Sequence, residues 1–159
     1  MKCLAALPWT LAVDTREQIP WDFGPDVLTQ KVTLAAGDYS ICGYETRVAI
    51  ERKSLSDLKG SVTYGRERFK RELAVLATYE RAFVVVEANI YDLYVDDRHS
   101  RVNPNSILGS CVAITIDYGV PVLWAGSRPQ AAALSYKLIK RFWEKRILPV
   151  LAAESAVQS

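Results

Sequence analysis

Gly37-Asp38-Tyr39-Ser40 is followed, after a short alternating stretch, by Ile50-Glu51-Arg52-Lys53, which puts two carboxylates and an ammonium into one short piece of chain. An Asp and a Glu held near one another bind a hard divalent cation through oxygen, and a Lys beside them can orient an attacking water. That combination suits hydrolysis of a phosphodiester. Asp38 and Glu51 are the expected ligands of Mg2+ or Mn2+, with the backbone carbonyl of Arg52 as a further donor and Asp14 as an additional acidic candidate. The competing reading of these residues alone is a surface hairpin with solvated charges, since a Glu-Arg-Lys run is common on wet faces.

The surrounding residues supply the elements that must position this set. Tyr39-Ser40-Ile41 reads as a strand, Cys42-Gly43-Tyr44 as a turn, and Arg47-Val48-Ala49-Ile50-Glu51 as the returning strand, so the hairpin brings Asp38 back beside Glu51. Residues two apart share a face of a strand, which aims Glu51 and Lys53 together and Arg52 oppositely. Gly37 permits a backbone conformation that bulkier residues resist. Upstream, the apolar run Thr10-Leu11-Ala12-Val13 reads as a buried strand that ends in Asp14-Thr15-Arg16-Glu17, and sites form at such strand ends in open α/β sheets. Downstream, Ser54-Leu55-Ser56-Asp57 reads as a helix start. Asp57 is then either a capping carboxylate or part of the rim of the site, and the helix N-terminus offers N–H groups to a phosphate.

Val13-Asp14-x-Arg16-Glu17, Gly37-Asp38-Tyr39 and Glu51-Arg52-Lys53-x3-Asp57 together resemble the nuclease domain of XPF-type structure-specific endonucleases, a branch of the restriction-endonuclease-like superfamily. The likeness continues in order through Lys59-Gly60-Ser61, Gly65-Arg66, Phe69-Lys70-Arg71-Glu72 and Phe83-Val84-Val85-Val86-Glu87, and spans roughly residues 10 to 145. The resemblance implies an α/β fold with a central mixed sheet flanked by helices on both faces. It implies metal-dependent cutting of DNA near branched or flap junctions, leaving a 5′-phosphate, in repair, recombination or replication. Asp14, Asp38, Glu51, Lys53 and Asp57 become the expected catalytic residues, supported by Arg16, Glu17 and Arg52. Arg52, Lys59, Arg66, Arg68 and Lys70 become the expected DNA contacts, Arg being suited to bidentate binding of phosphate. It also implies pairing of nuclease domains, and a homodimer is expected. The chain departs from the family in carrying no helix-hairpin-helix module after Arg146 and no helicase portion, which leaves the choice of DNA structure open. Two other readings are a DNA-structure-binding module that does not cut and another restriction-like or Holliday-junction nuclease. Intact Asp38, Glu51 and Lys53 argue against the first, and the Val-Asp-x-Arg-Glu element against the second.

Composition agrees with one catalytic domain over residues 1–150 and a flexible tail over 151–159, half of the 159 residues being apolar. No stretch approaches the roughly 20 apolar residues of a membrane span. Met1 to Leu7 superficially resembles a secretory start but is broken by Pro8 and Trp9. Cys3, Cys42 and Cys111 are far apart and odd in number, which points away from disulfides and zinc and towards a reducing compartment: cytoplasm, nucleoid or nucleus. The net charge of +2 says little, but Arg47, Arg52, Lys53, Lys59, Arg66, Arg68, Lys70 and Arg71 gather around the proposed site. His99, the single histidine, reads as a loop residue, and the absence of a Gly-x4-Gly-Lys loop excludes a P-loop nucleotide hydrolase.

The remainder reads as scaffold. Residues 66–79 form a helix with Phe69, Leu73, Leu76 and Ala77 inward and a Glu67–Arg71 pair outward; Phe83 to Val86 and Pro121 to Trp124 form strands. A helix opens at Asn103-Pro104 and ends near Gly119, and a last helix runs from Ser127 to about Arg146. Its stripe of Ala131, Leu134, Leu138, Ile139, Phe142 and Trp143 serves the core or, with Tyr136 and Trp143 as anchors, a dimer face.

Overall fold

The computed structural model describes residues 8–95 and 101–158. Six strands form one sheet in the order β2-β1-β3-β4-β5-β6: β1 Leu11–Asp14, β2 Thr29–Val32, β3 Tyr39–Ile41, β4 Val48–Lys53, β5 Arg81–Val86 and β6 Val122–Trp124. The sheet is mixed: β1 pairs with β2 in parallel and β3 antiparallel, β3 with β4 antiparallel, and β4, β5 and β6 run parallel. The expected hairpin is therefore present as β3 and β4, with Tyr39 opposite Ile50.

Strand alternation sorts the β4 and β5 side chains into two cores. Ala49, Val84 and Val86 pack with Leu58, Phe69, Leu73, Ile107 and Ile114, on the face covered by α1 Leu55–Ser61, α2 Arg66–Leu76 and α3 Pro104–Asp117. Val48, Ile50 and Val85 pack with Leu11, Tyr39, Ala131, Ile139 and Phe142, beneath α4 Arg128–Phe142. Because β5 is covered on both faces, its run Val84-Val85-Val86 is fully buried. Each such side chain contributes about 1.5–3 kcal/mol on removal from water.

Helix boundaries follow local chemistry. Ser54 caps α1 by accepting from the Asp57 N–H at 3.1 Å, and Asn103 and Ser127 cap α3 and α4 in the same way. Gly119, with φ of 65°, lets the chain leave α3 in a left-handed conformation. Several expectations need correction. α2 ends at Leu76, leaving Ala77 as an exposed C-cap, and Glu67 pairs with Lys70 at 3.7 Å rather than with Arg71. The last helix does not stop near Arg146: α4 passes through a π-helical turn, Trp143–Ile147, into α5 Leu148–Val157, so the tail expected from residue 151 is helical to Val157. Pro149 explains the change of winding, because its ring clashes with the carbonyl four residues earlier and its nitrogen donates nothing. The helix accommodates it by widening, with the Leu148 N–H bonded to the Trp143 carbonyl five residues back.

Trp143 is buried and stacks on Trp9 at 6.3 Å, as does Tyr136 at 5.7 Å, so the apolar stripe of α4 serves this chain's own core. Among the described residues, no helix is long and apolar enough to cross a membrane, and Cys42 and Cys111 are free thiols. Met1 to Leu7, Cys3 and His99 lie outside the described residues.

Candidate active site

The ends of β1 and β4 and the start of β3 converge on one point. The Asp38 N–H donates to the Ile50 carbonyl and the Asp14 N–H to the Asp38 carbonyl, both at 2.8 Å, which fixes Asp38 between its two neighbours. Gly37 makes this approach possible: its φ is 81°, and a Cβ there would lie 3.0 Å from Ala49 Cβ and 3.2 Å from the Ile50 carbonyl oxygen. Asp38 Oδ2 accepts from the Arg52 N–H at 2.7 Å. Strand alternation turns the Arg52 carbonyl to that same side, since Ile50, two residues earlier, also bonds toward β3.

Glu51 is only 4% exposed. Its Oε1 lies 3.1 Å from Lys53 Nζ, while its buried Oε2 receives no hydrogen bond. Lys53 Nζ sits 4.5 Å from the centre of the Phe69 ring, which limits where the ammonium can go. Burial pushes the Asp38 carboxyl up to about 7, against the opposing Arg52 N–H and with Glu17 and Glu72 adding to the rise. Burial, then the Asp38 charge, pushes Glu51 well above the ordinary range, with Lys53 only partly offsetting them. Both acids therefore tend to hold a proton in the bare chain, and a cation beside them would offset the charge that burial disfavours.

On the opposite face of β4, Arg52 is a lock. Its Nε donates to Glu87 Oε1 at 2.7 Å, its Nη1 donates to Glu17 Oε2 and the Ile19 carbonyl at 2.8 Å each, and its guanidinium lies 5.3 Å from the Trp21 ring centre. The Trp21 indole N–H also donates to Glu87, Tyr39 Oη donates to Glu17 at 3.1 Å, and the Trp21 and Tyr39 rings stack at 4.7 Å. Asp14 is similarly committed. Its Oδ2 accepts from Arg16 Nε at 2.6 Å and its Oδ1 from the Leu34 N–H at 2.9 Å. Burial would raise its pKa, but the Arg16 side chain and the N–H groups of Leu34 and Arg16 hold it below the usual carboxylate value.

Asp14, Arg16, Glu17, Asp38, Glu51, Arg52, Lys53 and Asp57 all line one open cleft of about 390 Å3. Arg68 also reaches it, whereas Arg66 and Lys70 face a separate groove of about 220 Å3 between α2 and α3, and Lys59 lines neither. Tyr64, Glu72 and the lock residue Glu87 received no role from the sequence. Glu72 was legible as the residue one helical turn beyond Phe69, but Glu87 gains its partner only through the β4–β5 pairing.

The cleft fits a divalent cation through the undonated Glu51 Oε2 and the charge shared with Asp38. Among the described residues, no three His, Cys, Asp or Glu side chains form a ready-made cage. The available donors are two carboxylates and a backbone carbonyl, a sparse set that suits an ion which keeps several waters, as Mg2+ does.

Comparison with known proteins places this geometry. Residues 13–138 match the model of the ERCC4 domain. XPF from Aeropyrum pernix superposes with a TM-score of 0.65 at 24% identity, over 82% of this chain and 64% of its own. The same protein in complex with DNA gives 0.66 at 23%, over 88% of this chain and 68% of its own. A protein of Methanocaldococcus jannaschii, named as a candidate ATP-dependent RNA helicase, is 27% identical over 127 residues, which is 79% of this chain but 15% of that protein. The expected α/β architecture is thus shared with XPF, and with its domain matched from residue 13 to residue 138, this chain belongs to the ERCC4 domain family.

Proposed function

We propose that this chain is a metal-dependent, structure-specific DNA endonuclease that hydrolyses phosphodiester bonds near branched or flap junctions. The observation that carries the reading is the half-buried Asp38 and the buried Glu51 beside Lys53, with Glu51 Oε2 left without a donor. Mg2+ or Mn2+, when bound, supplies charge neutralisation at the phosphate and a more acidic water. Asp38, Glu51 and the Arg52 carbonyl hold it. Lys53, steadied by Glu51 and Phe69, has N–H donors left for the attacking water and a phosphoryl oxygen. Asp57, exposed at the rim, accepts from waters or positions them. Asp14 acts by fixing Arg16, and Arg16 and Arg68 bind neighbouring phosphates at the cleft mouth. Arg66, Lys70 and Lys59 extend that contact along the outside of α1 and α2. The side chain of Arg52 keeps the strand in place and contacts no DNA.

Incubating the chain with labelled 3′-flap, fork, Holliday-junction and linear DNA, in Mg2+, Mn2+ or EDTA, tests this. Cation-dependent cutting of the branched substrates with a 5′-phosphate product is expected. Asp38→Asn and Lys53→Ala should each reduce it by about 10²-fold or more while DNA binding persists. No cutting of any substrate would leave a non-cutting binding module, and equal cutting of linear duplex would remove structure specificity. Pairing with a second copy belongs to the same proposal, and a monomer by light scattering at micromolar concentration would remove that part alone.

A further inference from the structure

Tyr64 is 94% exposed, more than any other large hydrophobic side chain among the described residues, and it lines the cleft with Gly60, Gly65 and Arg68. A ring left in water forgoes the burial that aromatic side chains ordinarily contribute. The turn that carries it is nonetheless tied down. The Gly65 N–H donates to the Gly60 carbonyl at 2.9 Å, the Arg66 N–H to the Thr63 carbonyl at 3.2 Å and the Thr63 hydroxyl to the Lys59 carbonyl at 2.7 Å. Two glycines permit this fold-back: a Cβ on Gly65 would stand 3.1 Å from the Gly60 carbonyl oxygen, and one on Gly60 would stand 2.6 Å from Tyr64 Oη. The phenol end of the ring is therefore seated beside Gly60 while the rest faces solvent. Ser61 and Phe69 line both the cleft and the groove between α2 and α3, so the turn lies where the two depressions meet. Cations stand in both, Arg68 in the cleft and Arg66 and Lys70 in the groove.

We propose that Tyr64 is a base-stacking residue, whose open ring receives an unpaired nucleobase of the DNA while the flanking cations hold the phosphate backbone. An aromatic ring set among Lys and Arg side chains is the arrangement that binds single strands, because every base has a face to stack and every nucleotide a phosphate to neutralise. Paired bases stack on one another and present only their edges in the grooves. Tyr64 therefore reads whether a strand is paired, without reading its sequence, and gives the catalytic domain its own preference for junctions. This inference rests on the proposed function in taking DNA as the ligand, and not in requiring that the DNA be cut.

Fluorescence anisotropy of the full chain in EDTA, with labelled single-stranded, 3′-flap and linear duplex DNA, tests it. Tyr64→Ala should weaken binding to single-stranded and flap DNA by about 5–100-fold and leave duplex binding unchanged. Tyr64→Phe keeps the ring and should bind as the wild type does. Tyr91→Ala, which removes an exposed tyrosine outside the cleft, should also match the wild type. 2-Aminopurine placed in the unpaired strand supplies a readout that a structural role would not move: stacking on the wild type and on Tyr64→Phe should quench it, and saturating Tyr64→Ala should not. Unchanged binding by Tyr64→Ala, equal weakening on every DNA, or a loss in Tyr64→Phe as large as in Tyr64→Ala would overturn the proposal. A wild type that binds flap DNA through Tyr64 but cuts nothing in Mg2+ removes the nuclease reading and leaves this inference standing. A wild type that binds no DNA overturns both.

Discussion

Arg52 and Lys53 are adjacent cations with different partners and different consequences. Arg52 neutralises Glu17 and Glu87, whose side chains are 19% and 12% exposed, so Arg52→Ala leaves two half-buried carboxylates without their cation. A loss of about 3–5 kcal/mol is expected in urea unfolding. Arg47→Ala is the control: its pair with Glu80 is open to water, with side chains 36% and 43% exposed, and about 0–1 kcal/mol should be lost. Asp38 makes a prediction about pH. Its folded value of about 7 lies above its ordinary 3.8, so between those limits the folded chain binds a proton that the unfolded chain has lost. Stability of the metal-free chain should be highest below that window, fall as pH rises through it, and level off above. Wild-type and Asp38→Asn melts in EDTA at pH 5 and pH 8 isolate the Asp38 share, so the variant should show a smaller fall, with the part due to buried Glu51 remaining. Added Mg2+ should stabilise the wild type more at pH 8 than at pH 5.

At the scale of elements, the β3–β4 hairpin depends on one backbone position. Gly37→Ala combines a left-handed φ of 81° with contacts of 3.0 and 3.2 Å to Ala49 and Ile50. It should cost about 1–3 kcal/mol in chemical denaturation, and because Asp38 follows directly, cation affinity should fall with stability. Much of this architecture was legible because it is local. Alternation in Val48 to Lys53 separated Glu51 and Lys53 from Arg52, Ser54 announced α1, and Asn103-Pro104 and Gly119 bracketed α3. What escaped was set by distant partners. Glu87 borders the cleft side chains because β5 lies parallel to β4, whereas Glu72 follows from helical spacing alone, one turn beyond Phe69. The stop assigned near Arg146 failed for another reason: Pro149 was absorbed by a π turn instead of ending the helix.

Across the whole molecule, the sheet separates chemistry from support. The cleft opens beside α1 and α2, while α4 packs on the opposite face, where Ile139 is completely buried. Ile139→Ala should cost about 2–5 kcal/mol in urea unfolding, yet leave Mn2+ affinity of the folded chain unchanged, because no cleft residue belongs to α4. β4 is where the two halves meet, with Ala49, Glu51 and Lys53 toward one face and Val48, Ile50 and Arg52 toward the other. A deletion or insertion of one codon within it would exchange those faces wholesale. Arg52 would then turn toward the side of the sheet covered by α1 and α2, and Glu51 and Lys53 would be driven against Trp21 and Glu87. This segment therefore tolerates almost no change in length, and its register matters to the cleft as much as the carboxylate of Glu51.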